Sequence, residues 1–146
     1  MLQAAPQYLV RRRFFYLCAA ISSWLGYSWR SRGPAIKTVN LKSDMPLVQE
    51  ALQRLERELA LARQEKTKLL KLVHGYGSTG AGGDIRIAVQ KRLIELAQGG
   101  QIRGCIFGEN WSKSDEAAWK LLQAHAELKS DSDLGRRNQG ITIVLL

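Results

Sequence analysis

The sequence predicts an α/β protein, a β-α-β-α-β-α-β chain folded as a two-layer sandwich on a mostly parallel four-stranded sheet. Three observations predict it. Four short aliphatic or β-branched runs alternate with amphipathic stretches of helical period. The first two of these stretches are long enough to cross over between parallel strands, and such connections are right-handed. Glycine and polar clusters punctuate the boundaries between elements.

The elements follow in order. Ile36–Leu41 (IKTVNL) is short, β-branched and apolar, which predicts a strand. Ser43 and Asp44 precede Pro46, a residue favoured in a first helical turn. Leu47, Ala51, Leu55, Leu59 and Ala62 then recur at helical spacing, with Val48 and Leu52 widening the stripe, as far as about Gln64. Glu50 and Arg54 are spaced for an ion pair on the outer face of this helix. Lys68–Gly75 (KLLKLVHG) reads as a strand buried on both faces. Ile85, Val89, Leu93 and Leu96 mark a second helix, stopped by Gly99 and Gly100.

Gln101–Phe107 is the third strand. Ser112 and Asp115 have the spacing of a capping box ahead of a third helix through Trp119, Leu121, Leu122 and Ala124. Gly140–Leu146 (GITIVLL) is the fourth and most β-prone strand. At helical spacing Trp119 reads as core, while Trp111 offers a face for stacking.

The chain of 146 residues is 45% hydrophobic and 24% charged, values that suit one folded domain and exclude a disordered chain. The net charge of +9 is unevenly placed. Residues 1–33 contain Arg11, Arg12, Arg13, Arg30 and Arg32 and no acid. The remainder carries 17 basic and 13 acidic residues, a mild excess compatible with a nucleic acid partner. The expected division is a basic and apolar segment at 1–33 and a domain at 34–146. The segment reads as a disordered tail, an over-extended start, or an interfacial anchor with membrane contact through residues 11–29. Its apolar stretch of roughly 16 residues is short for a bilayer span. Two cysteines, Cys18 and Cys105, make neither a disulfide framework nor a metal box, and a reducing cytoplasmic setting is expected.

Chemistry concentrates between the second strand and the second helix, in HGYGSTGAGGDIR. Five of the chain's 13 glycines fall here: Gly75, Gly77, Gly80, Gly82 and Gly83. Glycine carries an entropic cost on folding, so a cluster marks either strained turns or a backbone approached closely by a ligand. Gly75-x-Gly77-x-x-Gly80 matches the dinucleotide fingerprint in letters, but Glu95, the acid at about the spacing needed to hold a ribose, falls in a helix and not at the end of a strand. A P-loop is excluded, because no Lys-Ser or Lys-Thr pair follows Gly82 and Gly83.

What remains is an anion cradle of free amides at a helix start. Ser78 and Thr79 add hydroxyl donors and Arg86 adds charge. His74, at the strand tip, is the expected catalytic residue, moving a proton or polarising a phosphate. Arg136 and Arg137, with Asn138, precede the last strand and are placed to clamp phosphates. Glu109, after the third strand, is placed to approach His74. No dense cluster of metal ligands appears, so neither a metal nor a cofactor is expected.

These letters carry a resemblance. HGYGSTGAGG-IR is similar to the signature of the Smr (small MutS-related) family. His74, Gly75 and Gly77 fall on its His-Gly-x-Gly element, and Thr79, Gly80 and Gly82 on its Thr-Gly-x-Gly element. Gly108, Glu109 and Trp111, with DLGRRNQGITIVLL, resemble a bacterial subgroup of short, stand-alone Smr proteins. The likeness spans about 36–146. It implies a fold like the C-terminal domain of a bacterial translation initiation factor, and binding of DNA or RNA with endonuclease activity.

The family's Leu-Asp-x-His motif falls on Val39, Asn40, Leu41 and Lys42. A carboxylate has become an amide and an imidazole an amine, so neither side chain is a general base near neutrality. Lys42 still offers a point charge to a phosphate. Three readings follow: an endonuclease, a non-catalytic nucleic-acid-binding module, and a membrane-tethered interaction protein.

Overall fold

Each of the four apolar runs becomes a strand of one sheet. The computed structural model describes residues 36–75 and 81–146. The N-terminal segment, including 11–29, lies outside the described residues, as do Gly77, Ser78, Thr79 and Gly80. The elements are β1 (Lys37–Asn40), α1 (Val48–Gln64), β2 (Leu69–Val73), α2 (Ala81–Gln98), β3 (Gly104–Phe107), α3 (Glu116–Ala124) and β4 (Ile141–Leu145). Short 3-10 turns occupy Gly108–Asn110 and Ala126–Ser130. No helix among the described residues is long and apolar enough to cross a membrane.

The sheet order is β1-β2-β4-β3. β1 runs parallel to β2, with Val39 opposite Leu72. β4 enters antiparallel to both β2 and β3, with Leu70 and Cys105 both opposite Val144. Three strands therefore share a direction, as expected, but β4 separates two of them and the sheet is mixed. The reason is burial. β2 and β4 are apolar on both faces and take the two central places, whereas β1 and β3 have only four residues each and form the edges.

The expected two-layer arrangement is corrected, because the helices cover both faces. Alternation along the strands separates two cores. On one face Leu70, Leu72 and Val144 pack with Leu55 and Leu59 of α1 and Val89 and Leu93 of α2. On the other, Leu69, Ile141 and Ile143 pack with Leu121 and Leu122 of α3, Trp111 and Leu128. The link from β3 to β4 joins antiparallel strands. It needs no crossover, which leaves α3 free to cover the second face.

Helix ends also differ from expectation. Pro46 lies before α1, and the Glu50 carboxylate accepts a hydrogen bond from the Leu47 amide (2.9 Å). Glu50 is thus occupied at the N-terminus. Arg54 donates to the Ser43 carbonyl (3.2 Å), so the expected Glu50–Arg54 pair gives way to caps. α3 is capped by Asp115, whose carboxylate accepts from the amides of Ala117 and Ala118 (3.0 and 3.1 Å). Ser112 instead bonds Ser114 (2.7 Å), so the helix starts three residues later than the capping-box reading places it. The tryptophans exchange roles: Trp111 is fully buried, and Trp119 is 44% exposed.

Candidate nucleic-acid interface

The carboxyl ends of β1, β2 and β3 lie at one end of the sheet, together with the start of β4. Loops at this end gather groups from distant parts of the chain. Lys42 follows β1 and is exposed. A Cβ built on Gly75 would lie 3.3 Å from Lys42 Cδ, so the lysine stem passes directly over this glycine. Gly75 has φ +74°, a left-handed conformation that excludes most side chains. Gly140 closes in from the other side, where an added Cβ would sit 3.2 Å from Gly75 Cα. Its carbonyl accepts the amides of His74 (2.9 Å) and Gly75 (3.0 Å).

His74 is completely buried. Nδ1 lies 2.9 Å from the Gly75 carbonyl oxygen, which can only accept, so Nδ1 carries the proton. Nε2 lies 2.9 Å from Thr142 Oγ1 and accepts from that hydroxyl. Burial holds the imidazole below the ordinary histidine value. The nearby Arg86 acts in the same direction, against the opposing pull of the Gly75 carbonyl and Glu109. A neutral ring with both nitrogens engaged orders the backbone well, but it has no free position from which to take a proton from a ligand.

Arg86, one turn into α2, donates to the side chain of Gln139 (2.8 Å) and so reaches the segment before β4. Arg86 Nε, Gln90 Nε2 and Glu109 Oε2 are buried with no hydrogen-bond partner among the described residues. Such atoms normally acquire one. Asp84 is exposed in the first turn of α2, and Asp115 is spent as a helix cap. Neither forms a ligand cluster with Glu109. Among the described residues no group of three or more His, Cys, Asp or Glu side chains is placed to hold a metal ion. Asn40, in the altered motif, accepts from the Lys42 amide through its side chain (3.0 Å) and so shapes the turn that presents Lys42.

The segment before β4 is also ordered. Arg136 and Arg137 are exposed, and Arg137 has φ +52°. Asn138 donates to Asp133 Oδ1 (2.8 Å) and accepts from the Gly140 amide (2.9 Å). Gly108 lies hard against it, since an added Cβ would fall 1.8 Å from the Asn138 carbonyl oxygen. Gly83, by contrast, has nothing within 4 Å of an added Cβ, and Gly82 lies with it in the first turn of α2. The structure therefore brings together His74, Gly75, Lys42 and the segment containing Asn138. Arg86 joins this group through Gln139.

No protein-family model matches the chain, and no curated protein matches it. Among solved structures, the Smr domain of Thermus thermophilus MutS2 is similar to it. That likeness covers 75% of this chain and 96% of the other, at 22% sequence identity and a TM-score of 0.47. The chain is similar to an Smr domain.

Sequence reasoning missed Thr142, which orients His74, and the ionic cluster around Lys71. There Lys71 Nζ lies 2.7 Å from Asp131 Oδ2 and 2.6 Å from Asp133 Oδ2. Trp111 Nε1 donates to Asp131 Oδ1 (3.2 Å). A usable signal was present. A lysine in the middle of LLKLV, a strand buried on both faces, requires an internal counter-charge.

Proposed function

We infer that the body, residues 34–146, binds the phosphate backbone of a nucleic acid at the carboxyl end of its sheet, and that binding rather than hydrolysis is its activity. One observation carries this reading. Three basic segments far apart in sequence converge on the end of β2: Lys42 across Gly75, Arg86 through Gln139, and Arg136 beside Asn138. Cations around a glycine backbone, Lys42 and Arg136 exposed and Arg86 partly so, suit a polyanion that approaches closely. The resemblance in HGYGSTGAGG supports the same partner, and the amides of Gly77, Ser78, Thr79, Gly80, Gly82 and Gly83 are the donors this reading assigns to the phosphates.

Binding without cleavage is supported by the state of the titratable groups. Asn40 and Lys42 supply no base, and the His74 nitrogens are committed to Gly75 and Thr142. Hydrolysis by this chain would require the histidine to leave both partners.

The test is a titration of fluorescently labelled single-stranded RNA and duplex DNA, at several salt concentrations, with prolonged incubation in the presence and absence of chelator. Affinity falls steeply as salt rises. Lys42→Ala and Arg136→Ala each lower the salt slope by about one. Oligonucleotides that remain unbound at low salt would overturn the reading, and products that vanish in a His74→Ala control would restore the endonuclease.

A further inference from the structure

We propose that the buried Lys71–Asp133 pair is a positioning device for this interface, acting through Asn138 and Gly140 on His74 and Gly75. The connection is continuous. Lys71 points to the α3 face of β2, away from His74, and is neutralised by Asp131 and Asp133. The second oxygen of Asp133 accepts from the Asn138 amide. The side-chain oxygen of Asn138 accepts from the Gly140 N–H. The Gly140 carbonyl in turn receives the N–H groups of both His74 and Gly75. One chain of hydrogen bonds thus runs around the end of the sheet, from a charge buried on one face to the backbone of the histidine whose ring is buried on the other.

The surroundings fix this chain in a single arrangement. Gly108 leaves no room for the Asn138 carbonyl to move toward it. The Asp133 amide is held by Asp131 Oδ1 (2.9 Å), and the Gly135 amide by the Trp111 carbonyl (2.8 Å). Arg136 and Arg137 lie between Asp133 and Asn138, so the two exposed cations ride on a segment anchored at both ends. A phosphate clamp needs fixed donors, because each side chain ordered only on binding subtracts from affinity. Lys71 is taken up by the two aspartates, and the Asn138 side chain by Asp133 and Gly140. Their role is to set where Arg136 stands and where Gly75 begins the glycine-rich segment. This rests on the proposed binding reading for its affinity arm alone.

Two variants of the full chain test it. Asn138→Ala cuts the link and leaves Lys71 with both aspartates. The exchange Asp133→Asn/Asn138→Asp reverses the donor and restores the link, because the carboxylate at 138 accepts from both the Gly140 amide and the amide at 133. Nitrogen-15 NMR reads the His74 ring and the exchange of the His74 and Gly75 amides. Anisotropy with a labelled RNA reads affinity.

Asn138→Ala is expected to shift the His74 ring nitrogens, speed exchange of both amides and weaken RNA binding about three- to ten-fold. The double exchange is expected to return all three toward wild type. An unchanged ring signature and unchanged amide exchange in Asn138→Ala would overturn the proposal, as would a folded double exchange that rescues neither. Should wild type bind no RNA, the binding reading fails while the ring and exchange data still decide the positioning role.

Discussion

The two faces of the sheet are closed by different means. One is covered by α1 and α2, helices of 17 and 18 residues whose inner stripes are almost wholly aliphatic. The other has only α3, of nine residues, and a long connection back to β4. There the regular elements run short, and a buried lysine, two aspartates, a tryptophan N–H and an asparagine hold the connection. Apolar burial is strong but non-directional and tolerates sliding. Hydrogen bonds to charged groups are directional and fix one arrangement. The face that supplies most of the core is therefore a platform, and the less regular face sets the position of the arginines.

Removing one partner from the polar face is expected to rank among the largest effects. Lys71→Ala leaves two partly buried carboxylates without their cation, and about 3 kcal/mol of stability should be lost in urea unfolding. A loss below about 1 kcal/mol would show that water enters this cluster and that the contrast between the faces is overstated. Leu59→Ala, in α1, deletes a fully buried side chain of the aliphatic face and is expected to cost about 2–5 kcal/mol. Its effect should be the same at pH 5 and pH 8, because Cys105, which packs against that core, has its thiol pushed up to about 12 by burial and stays neutral at both.

Acid should separate the regions further. Burial holds His74 below 6.5. Its contribution to stability is complete above about pH 6.5 and is lost as pH falls through that value toward the lower folded one. The slope should be at most about 1.4 kcal/mol per pH unit. His74→Asn cannot titrate and should flatten this part of the stability profile. A wild-type profile that is flat between pH 7 and 5 would contradict the burial of a neutral ring.

The smallest expected effect lies at the end of α1. Lys66 has φ +56° and closes the helix with amide bonds from Lys66 to Arg63 (3.1 Å) and from Thr67 to Ala62 (2.9 Å). This is a Schellman ending with lysine in the left-handed place that glycine prefers. Lys66→Gly should raise stability by up to about 1 kcal/mol, seen as a higher melting temperature. A lower melting temperature would show that the lysine side chain contributes more than its backbone strain costs.

The sequence by itself determined the elements and drew attention to the glycine-rich stretch from which the candidate interface is argued. Period-two runs such as ITIVL and the leucine stripe of α1 state their structure locally, because the geometry of strand and helix repeats over a few residues. The glycine-rich stretch announced a special backbone for the same reason, since glycine's freedom belongs to the residue itself.

Tertiary structure alone decided the rest. The antiparallel entry of β4, the face that α3 covers and the exchange of Trp111 for Trp119 in the core all depend on which surfaces compete for burial. The meeting of Lys71 with Asp131 and Asp133, some 60 residues away, is of the same kind. A lysine inside a buried strand needs a counter-charge, but only the path of the chain says where that charge comes from. The same path places His74 out of reach, because burial and two hydrogen bonds are properties of its neighbours and not of the histidine.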